Sequence, residues 1–215
     1  MKFEKTEVWG FEHALRGMRN PMNSWDRSDS GLEYIGEDDL KLAQSLIRAG
    51  SEHRKFMRQI FVSVDITAPL YWWKEADTYK VGTTSNSTST MHKLASTSIT
   101  RDCFEMDDYQ DLIFTDDEVR MRYHIKSDWE SLLRLLESLR KTYLETKDKR
   151  YWKELIRLLP ESWLQKRTIT MNYENVLNMY YQRKNHKLSE WHKFCEWALT
   201  LPYAKEFFIS PFKTK

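Results

Sequence analysis

Apolar and charged positions alternate over residues 2–11, where Phe3, Val8 and Phe11 stand among charged neighbours, and the pattern predicts a strand. Residues 12–18 read as a short helix. Residues 20–37 (NPMNSWDRSDSGLEYIGE) carry Pro, Gly and mostly polar side chains, which predicts a long loop serving as a lid or as mobile surface. Over residues 38–49, Leu40, Ala43, Leu46 and Ile47 share one helical face, and the helix ends near Gly50. Residues 51–58 read as another short helix. Ile60, Phe61, Val62, Val64 and Ile66 then mark a strand over 59–66 by their β-branched content.

Ala68-Pro69 reads as a helix start, since proline at an early helical position loses no needed N–H. The helix continues through Leu70, Trp73 and Tyr79. Residues 82–90 (GTTSNSTST) follow, a run of small hydroxyl and amide side chains with little to bury. Two readings stand side by side: a flexible surface loop, or a loop that folds around a phosphate or ribose with hydroxyls and backbone N–H groups as donors. Met91-His92-Lys93-Leu94 leads out of it toward a further helix.

Residues 95–116 read as irregular, with an acidic patch (Glu105, Asp107, Asp108, Asp111, Asp116) taken as solvated surface. Asp116 or Asp117 caps a predicted long helix reaching Thr146, with Leu132, Leu135, Leu136 and Leu139 on one side. A helix over 149–159 stops before Pro160. A short strand over 167–171 leads into a helix opened by Asn172 or Tyr173 and carrying Val176, Leu177, Tyr180 and Tyr181. A last helix is predicted over 189–201.

Composition narrows the function classes. The chain has 215 residues, 31% charged and 40% hydrophobic, which suits one compact domain with a real core. A net charge of +2 gives no electrostatic footprint for nucleic acid or membrane. No apolar run approaches a membrane span, and residues 1–5 lack a signal-peptide core. The two cysteines, Cys103 and Cys195, form no disulfide framework, so a reducing cytoplasm is expected. The six histidines show no metal-ligand spacing.

Two stretches carry a family resemblance. Thr78-Tyr79-Lys80, seven residues (Val81 to Ser87) and then Thr88 keep the spacing of a signature written Arg-His-Arg, seven residues, Ser. Leu159-Pro160, Thr170-Met171-Asn172, Asn178, Arg183, His186 and Trp191 repeat the order of the C-terminal pattern of the same proteins. The chain thus resembles the flavin-dependent thymidylate synthases over roughly residues 40–95 and 155–200, with the letters of the first signature mostly exchanged.

The resemblance implies an α+β fold, with a central mostly antiparallel sheet flanked by long helices. It implies one domain over 1–215 with a helical excursion at about 117–159, and a homotetramer with shared sites. The activity implied is methylation of a pyrimidine deoxynucleotide such as dUMP at C5, using reduced FAD, with NADPH and methylenetetrahydrofolate as co-substrates. The flavin would do the hard chemistry, which agrees with a chain lacking a nucleophile constellation. The cofactor-binding positions implied are His53, Arg58, Thr78, Tyr79, Lys80, Asn172, Asn178 and His186, with Ser24 as an early flavin contact. The substrate positions implied are Glu75, Ser87, Thr88, Ser89, Thr90 and Arg183, with Thr88 and Arg183 catalytic. Read without the resemblance, Asn172 is a helix N-cap, and Arg183 and His186 are a solvated helix end. Several exchanges weaken anion binding: Lys80 cannot make a bidentate contact, Thr90 replaces an arginine, and Glu75 replaces a glutamine, a carboxylate that would repel phosphate but could accept from an exocyclic amine. The alternative reading is a non-catalytic descendant that binds a nucleotide or a partner protein.

Overall fold

The computed structural model describes residues 1–213. The described residues form an α+β fold around a four-stranded sheet of order β1-β2-β6-β3. Its strands are β1 (Lys2–Trp9), β2 (Phe61–Pro69), β3 (Thr84–Ser87) and β6 (Leu164–Asn172). The remaining strands, β4 (Ile113–Asp116) and β5 (Met121–His124), pair as a separate antiparallel hairpin. The helices are α1 (Phe11–Arg19), α2 (Glu37–Arg48), α3 (Leu70–Ala76), α4 (Thr90–Lys93), α5 (Ile125–Thr146), α6 (Lys149–Arg157), α7 (Tyr173–Arg183) and α8 (Ser189–Ala198). The chain packs as two compact units, one of Met1–Ile66, Glu75–Asn86 and Arg167–Lys215, the other of Thr67–Lys74 and Ser87–Lys166.

In the first unit, β2 buries Val62, Val64 and Ile66 completely while Ser63 and Asp65 face the other side, the period-2 alternation of a half-covered sheet. Links from Asp65 to Thr168, Ser63 to Thr170 and Ile60 to Tyr173 fall on the first strand as they rise on the second, so β2 and β6 run antiparallel. The core of this unit is aromatic. The Tyr173 ring meets Phe11, Phe207 and Phe208 edge-on, and Trp191, Phe194 and Ile47 are fully buried. Burial in that cluster pushes the Tyr173 phenol far up, and its O–H donates to the Pro202 carbonyl. The second unit has its own core of Leu94, Ile99, Phe104, Leu136 and Leu155, packed by Trp129 and Trp163.

Several expectations are corrected. Residues 20–37 are not a free lid. The fully buried Asp39 accepts hydrogen bonds from Arg19 (2.6 Å), Ser28 (2.7 Å) and Ser30 (2.6 Å), Asp29 accepts from the N–H groups of Asp38 and Asp39, and Ile35 N–H donates to the Tyr203 hydroxyl. The polar side chains that suggested mobility are the fasteners. The helix over 51–58 reduces to a turn and a 3-10 segment, Lys55–Gln59. Pro69 ends β2 rather than opening a helix; at a strand's last position its missing N–H costs no ladder bond. The polar run over 82–90 is not one loop: Thr84–Ser87 is an exposed edge strand and Thr90 opens α4.

The long helix starts at Ile125, not at Asp116 or Asp117. Asp116 does use its carboxylate to cap, but it accepts from Glu118 and Val119 N–H groups in the hairpin turn, where Arg120 takes a left-handed φ of 51°. Beyond α8 the chain adds helical turns at Lys205–Ile209 and Ser210–Phe212, which the apolar pattern had not marked.

Candidate functional site

Four of the expected site residues meet in the first unit. Glu75 stands near the C-terminal end of α3, and the turn after it is closed by Thr78 N–H on the Glu75 carbonyl and Tyr79 N–H on the Ala76 carbonyl. Arg183 is the last residue of α7, and His186 follows in the turn to α8. One carboxylate oxygen, Glu75 Oε2, accepts from Arg183 Nη1 at 2.8 Å and Trp191 Nε1 at 2.8 Å, and His186 Nε2 lies 3.3 Å from it. His186 Nδ1 accepts from Leu188 N–H at 3.2 Å, which leaves the ring proton on Nε2. Arg183 Nε donates to the Tyr79 hydroxyl at 2.8 Å, and that hydroxyl donates to Gln182 Oε1 at 3.0 Å. The guanidinium carbon lies 4.7 Å from the Trp191 ring centre and 5.5 Å from that of Tyr79, within cation–π range of both.

The arginine is therefore held by aromatic faces, a hydroxyl and a carboxylate. Two polar elements stay open. Among the described residues nothing donates to Glu75 Oε1, and nothing accepts from Arg183 Nη2. Glu75 is 33% and Arg183 18% exposed, so these atoms face solvent.

A second cluster joins Arg58 and Asn178. Glu174 in α7 accepts from Arg54 Nε at 2.9 Å and from Arg58 Nε, and Arg54 Nη2 donates to Asn178 Oδ1 at 3.1 Å. Burial works to raise the Glu174 pKa, but the hydrogen bonds and charges of Arg58 and Arg54 outweigh it and hold the carboxyl below the usual range. The same bond raises the Arg58 pKa.

Asn172 is the N-cap of α7. Its Oδ1 accepts from Asn175 N–H at 2.9 Å, the Asn175 side chain returns the contact in a capping box, and Asn175 Nδ2 donates to the Val81 carbonyl at 2.7 Å. Gly82 packs against this box with φ of 73°, where a Cβ would sit 2.8 Å from Asn172 Nδ2. Thr78 is turned inward on its own turn, its hydroxyl donating to the Glu75 carbonyl, while Lys80 is exposed.

His53 lines a cavity of about 390 Å³ with Ser24, Lys55 and Gln59 on its polar side and Met18, Leu46 and Phe56 among its apolar walls. Ser87, Thr88, Ser89 and Thr90 fall in the second unit. There Thr88 N–H donates to the Lys166 carbonyl at 2.9 Å, Gln165 Nε2 donates to the Thr88 carbonyl at 2.9 Å, and Ser89 caps α4 by accepting from His92 N–H.

The sequence had not singled out Arg54, Glu174, Asn175 or Gln182 as site neighbours. Only Glu174 carried a signal, as an acid in the first turn of a helix, where it complements the dipole. Among the described residues no group of three or more His, Cys, Asp and Glu side chains could hold a metal ion, and no helix is long and apolar enough to cross a membrane.

The donor set divides when tested against a flavin. The cavity beside His53 mixes apolar walls with polar side chains, the kind of lining a ring with polar edges needs. The triplet at 78–80 offers an anion only Lys80, because Thr78 is bonded to its own turn and Tyr79 to Arg183.

No protein-family model matches the chain, and no curated protein matches it. Solved structures do. The chain is similar to a flavin-dependent thymidylate synthase ThyX from Helicobacter pylori, complexed with FAD and dUMP: 16% identity, TM-score 0.69, 98% of each chain covered. A second structure of thymidylate synthase X from Helicobacter pylori, with FAD and dUMP, matches at 16% identity and TM-score 0.70 over 100% of both chains. A UMP/dUMP methylase PolB from Streptomyces cacaoi, bound with 5-Br dUMP, matches at 15% identity and TM-score 0.62, covering 96% of this chain and 94% of that one. At these identities the likeness establishes the fold, over essentially the whole chain.

Proposed function

We propose that this chain binds a pyrimidine deoxynucleotide through the Arg183 cluster and modifies the base at C5, with methylation as the reaction. The observation that carries the reading is the guanidinium of Arg183. It is oriented by Tyr79, Trp191 and Glu75 and keeps Nη2 donors open at a partly exposed surface. A base carbonyl or ring nitrogen is the natural acceptor for such a fixed planar donor, and an ordered guanidinium contributes orientation without reorganising. The fold is shared with proteins whose structures contain dUMP or 5-Br dUMP, which supports a pyrimidine ligand.

FAD is proposed as the cofactor, with methylenetetrahydrofolate and NADPH as co-substrates. The flavin, when bound, would supply hydride for the one-carbon unit delivered to C5. His53, Ser24 and Lys55 would hold its ring against Phe56 and Met18. Arg58 and Asn178 would act by keeping Arg54 and Glu174 in place beside His53 rather than by touching the cofactor. Thr88 and the neighbouring hydroxyls remain candidates for substrate contact on their own segment. Self-association as a homotetramer is part of the proposal and is measured by sedimentation.

A second reading is favoured by a specific observation: Tyr79, Asn172, Asn178 and Arg58 already have partners within the chain. On that reading the protein binds a nucleotide and catalyses nothing. The experiment runs in two steps on purified protein. Thermal melting with dUMP, dCMP and dTMP reads binding. Visible absorption with added FAD and tritium release from [5-³H]dUMP and [5-³H]dCMP, with reduced flavin and methylenetetrahydrofolate supplied, read catalysis. Stabilisation with tritium release supports the enzyme; stabilisation without flavin uptake or release supports the binding protein. No stabilisation by any pyrimidine nucleotide overturns both.

A further inference from the structure

We propose that Glu75 is a specificity-determining residue, and that together with Arg183 it selects a cytosine edge over a uracil edge. The inference rests on the nucleotide reading above and deepens it. Glu75 Oε2 accepts from Arg183 and Trp191, with His186 Nε2 3.3 Å away, whereas Oε1 on the same carboxylate has no donor among the described residues. Beside it, Arg183 has spent Nε on Tyr79 and one Nη1 hydrogen on Glu75, and keeps Nη2. The partly exposed ion pair therefore keeps an acceptor on one partner and donors on the other.

A pyrimidine edge must answer that order. Cytosine shows an amine donor at N4 and acceptors at N3 and O2, which complements an acceptor followed by donors. Uracil shows O4 as an acceptor, N3–H as a donor and O2 as an acceptor. In the same register its O4 would face the Glu75 oxygen, two acceptors with no proton between them. Uracil meets the pair only in another register, with N3–H on Oε1 and a carbonyl on Nη2, so the base must shift by one position. A carboxylate accepting from a cytosine amine is a known form of base discrimination, and the rejected base fails through an unpaired polar group rather than a weaker attraction. Trp191 contributes by holding Oε2 through its indole N–H, which opposes rotation of the carboxylate.

The test is isothermal titration of the full-length protein with dCMP and dUMP in parallel, in wild type and in Glu75→Gln. Glutamine keeps the shape of the side chain and an oxygen for Trp191, and its amide can turn a donor toward the base. The expected result is a dCMP Kd about 10-fold or more below that of dUMP in wild type, with the preference lost or reversed in Glu75→Gln. Thermal melting of the variant, within a few degrees of wild type, confirms an intact fold. Equal affinities in wild type, or an unchanged ratio in Glu75→Gln, overturn the inference and leave the nucleotide reading standing. No binding of either nucleotide removes the nucleotide reading and this inference with it.

Discussion

Replacing Asp39 with alanine tests how residues 20–37 are held. Asp39 has 0% exposure and Arg19 5%, so their 2.6 Å ion pair lies out of water. The substitution leaves a buried guanidinium with the Ser24 carbonyl as its remaining acceptor, and strands the Ser28 and Ser30 hydroxyls. Breaking one side of a buried pair costs about 3–5 kcal/mol. The two serine bonds do not add in full, because those hydroxyls reach water once the loop loosens. The expected loss for Asp39→Ala is therefore about 3–5 kcal/mol, read by urea unfolding with tryptophan fluorescence. Asp39→Asn keeps an acceptor for the serines but not the charge and should fall between. A double variant, Arg19→Met with Asp39→Leu, should recover much of the loss. The pH dependence follows from the carboxyl. Burial pushes its pKa up, but Ser30, Ser28 and Arg19 more than offset this and hold it below the ordinary value. A depressed carboxyl stabilises the fold above the unfolded pKa of about 3.9 and loses that contribution as pH falls through its folded value. The gap between wild type and Asp39→Asn should stay level near neutral pH and close below about pH 4. A gap under about 1 kcal/mol at neutral pH, or one that stays level down to about pH 2, would refute the buried-pair argument.

Two further outcomes are expected. Gly82→Ala forces a Cβ onto Asn172 Nδ2 at a left-handed φ of 73°, so it should lower stability by about 1–3 kcal/mol in thermal melting; an unchanged melting temperature would mean that the loop is not pinned to the α7 cap. The Cys195 thiol, pushed up to about 11 chiefly by burial and then by Glu196, should react with iodoacetamide at pH 8 far more slowly than the half-buried Cys103. Peptide mass spectrometry reads the order, and equal rates would refute it.

What the sequence carried was mostly local. The alternation of β2, the apolar face of α2 and the Asn172 cap each depend on residues within a few positions, and each appears where its pattern lies. The strand identity of Thr84–Ser87 was not legible, because hydroxyl side chains read as a loop until β6 is known to lie alongside in the sheet. The hairpin over 113–124 was missed for a related reason: the aspartate that normally announces a helix caps a turn equally well, and only the pairing of Phe114 with Tyr123 decides between them. The site divides the same way. Arg183 could be named from the C-terminal pattern, but its ion pair joins residues 108 apart in sequence. Glu75, read from sequence as repelling phosphate but able to accept from an amine, orders the arginine together with Tyr79 and Trp191.

That arginine admits a structural and a binding interpretation, and the two separate on one substitution. If the Glu75–Arg183 pair served stability alone, it would contribute little, since partly exposed pairs are worth about 0–1 kcal/mol. It would also gain nothing from leaving Oε1 and Nη2 open to solvent. If it serves binding, the expense is sensible. Immobilising an arginine costs about 2 kcal/mol of rotamer freedom, and Tyr79, Trp191 and Glu75 meet that cost in the folded protein before any ligand arrives. Arg183→Lys keeps the charge and most of the stem. It cannot, however, bond Tyr79 and Glu75 together while facing a base, since one ammonium must replace a fork. The expected outcome is stability within about 1 kcal/mol of wild type and nucleotide affinity reduced about 10-fold or more, measured by urea unfolding and by titration on the same preparation. A large stability loss with unchanged nucleotide affinity would assign Arg183 to the fold and remove it from the site.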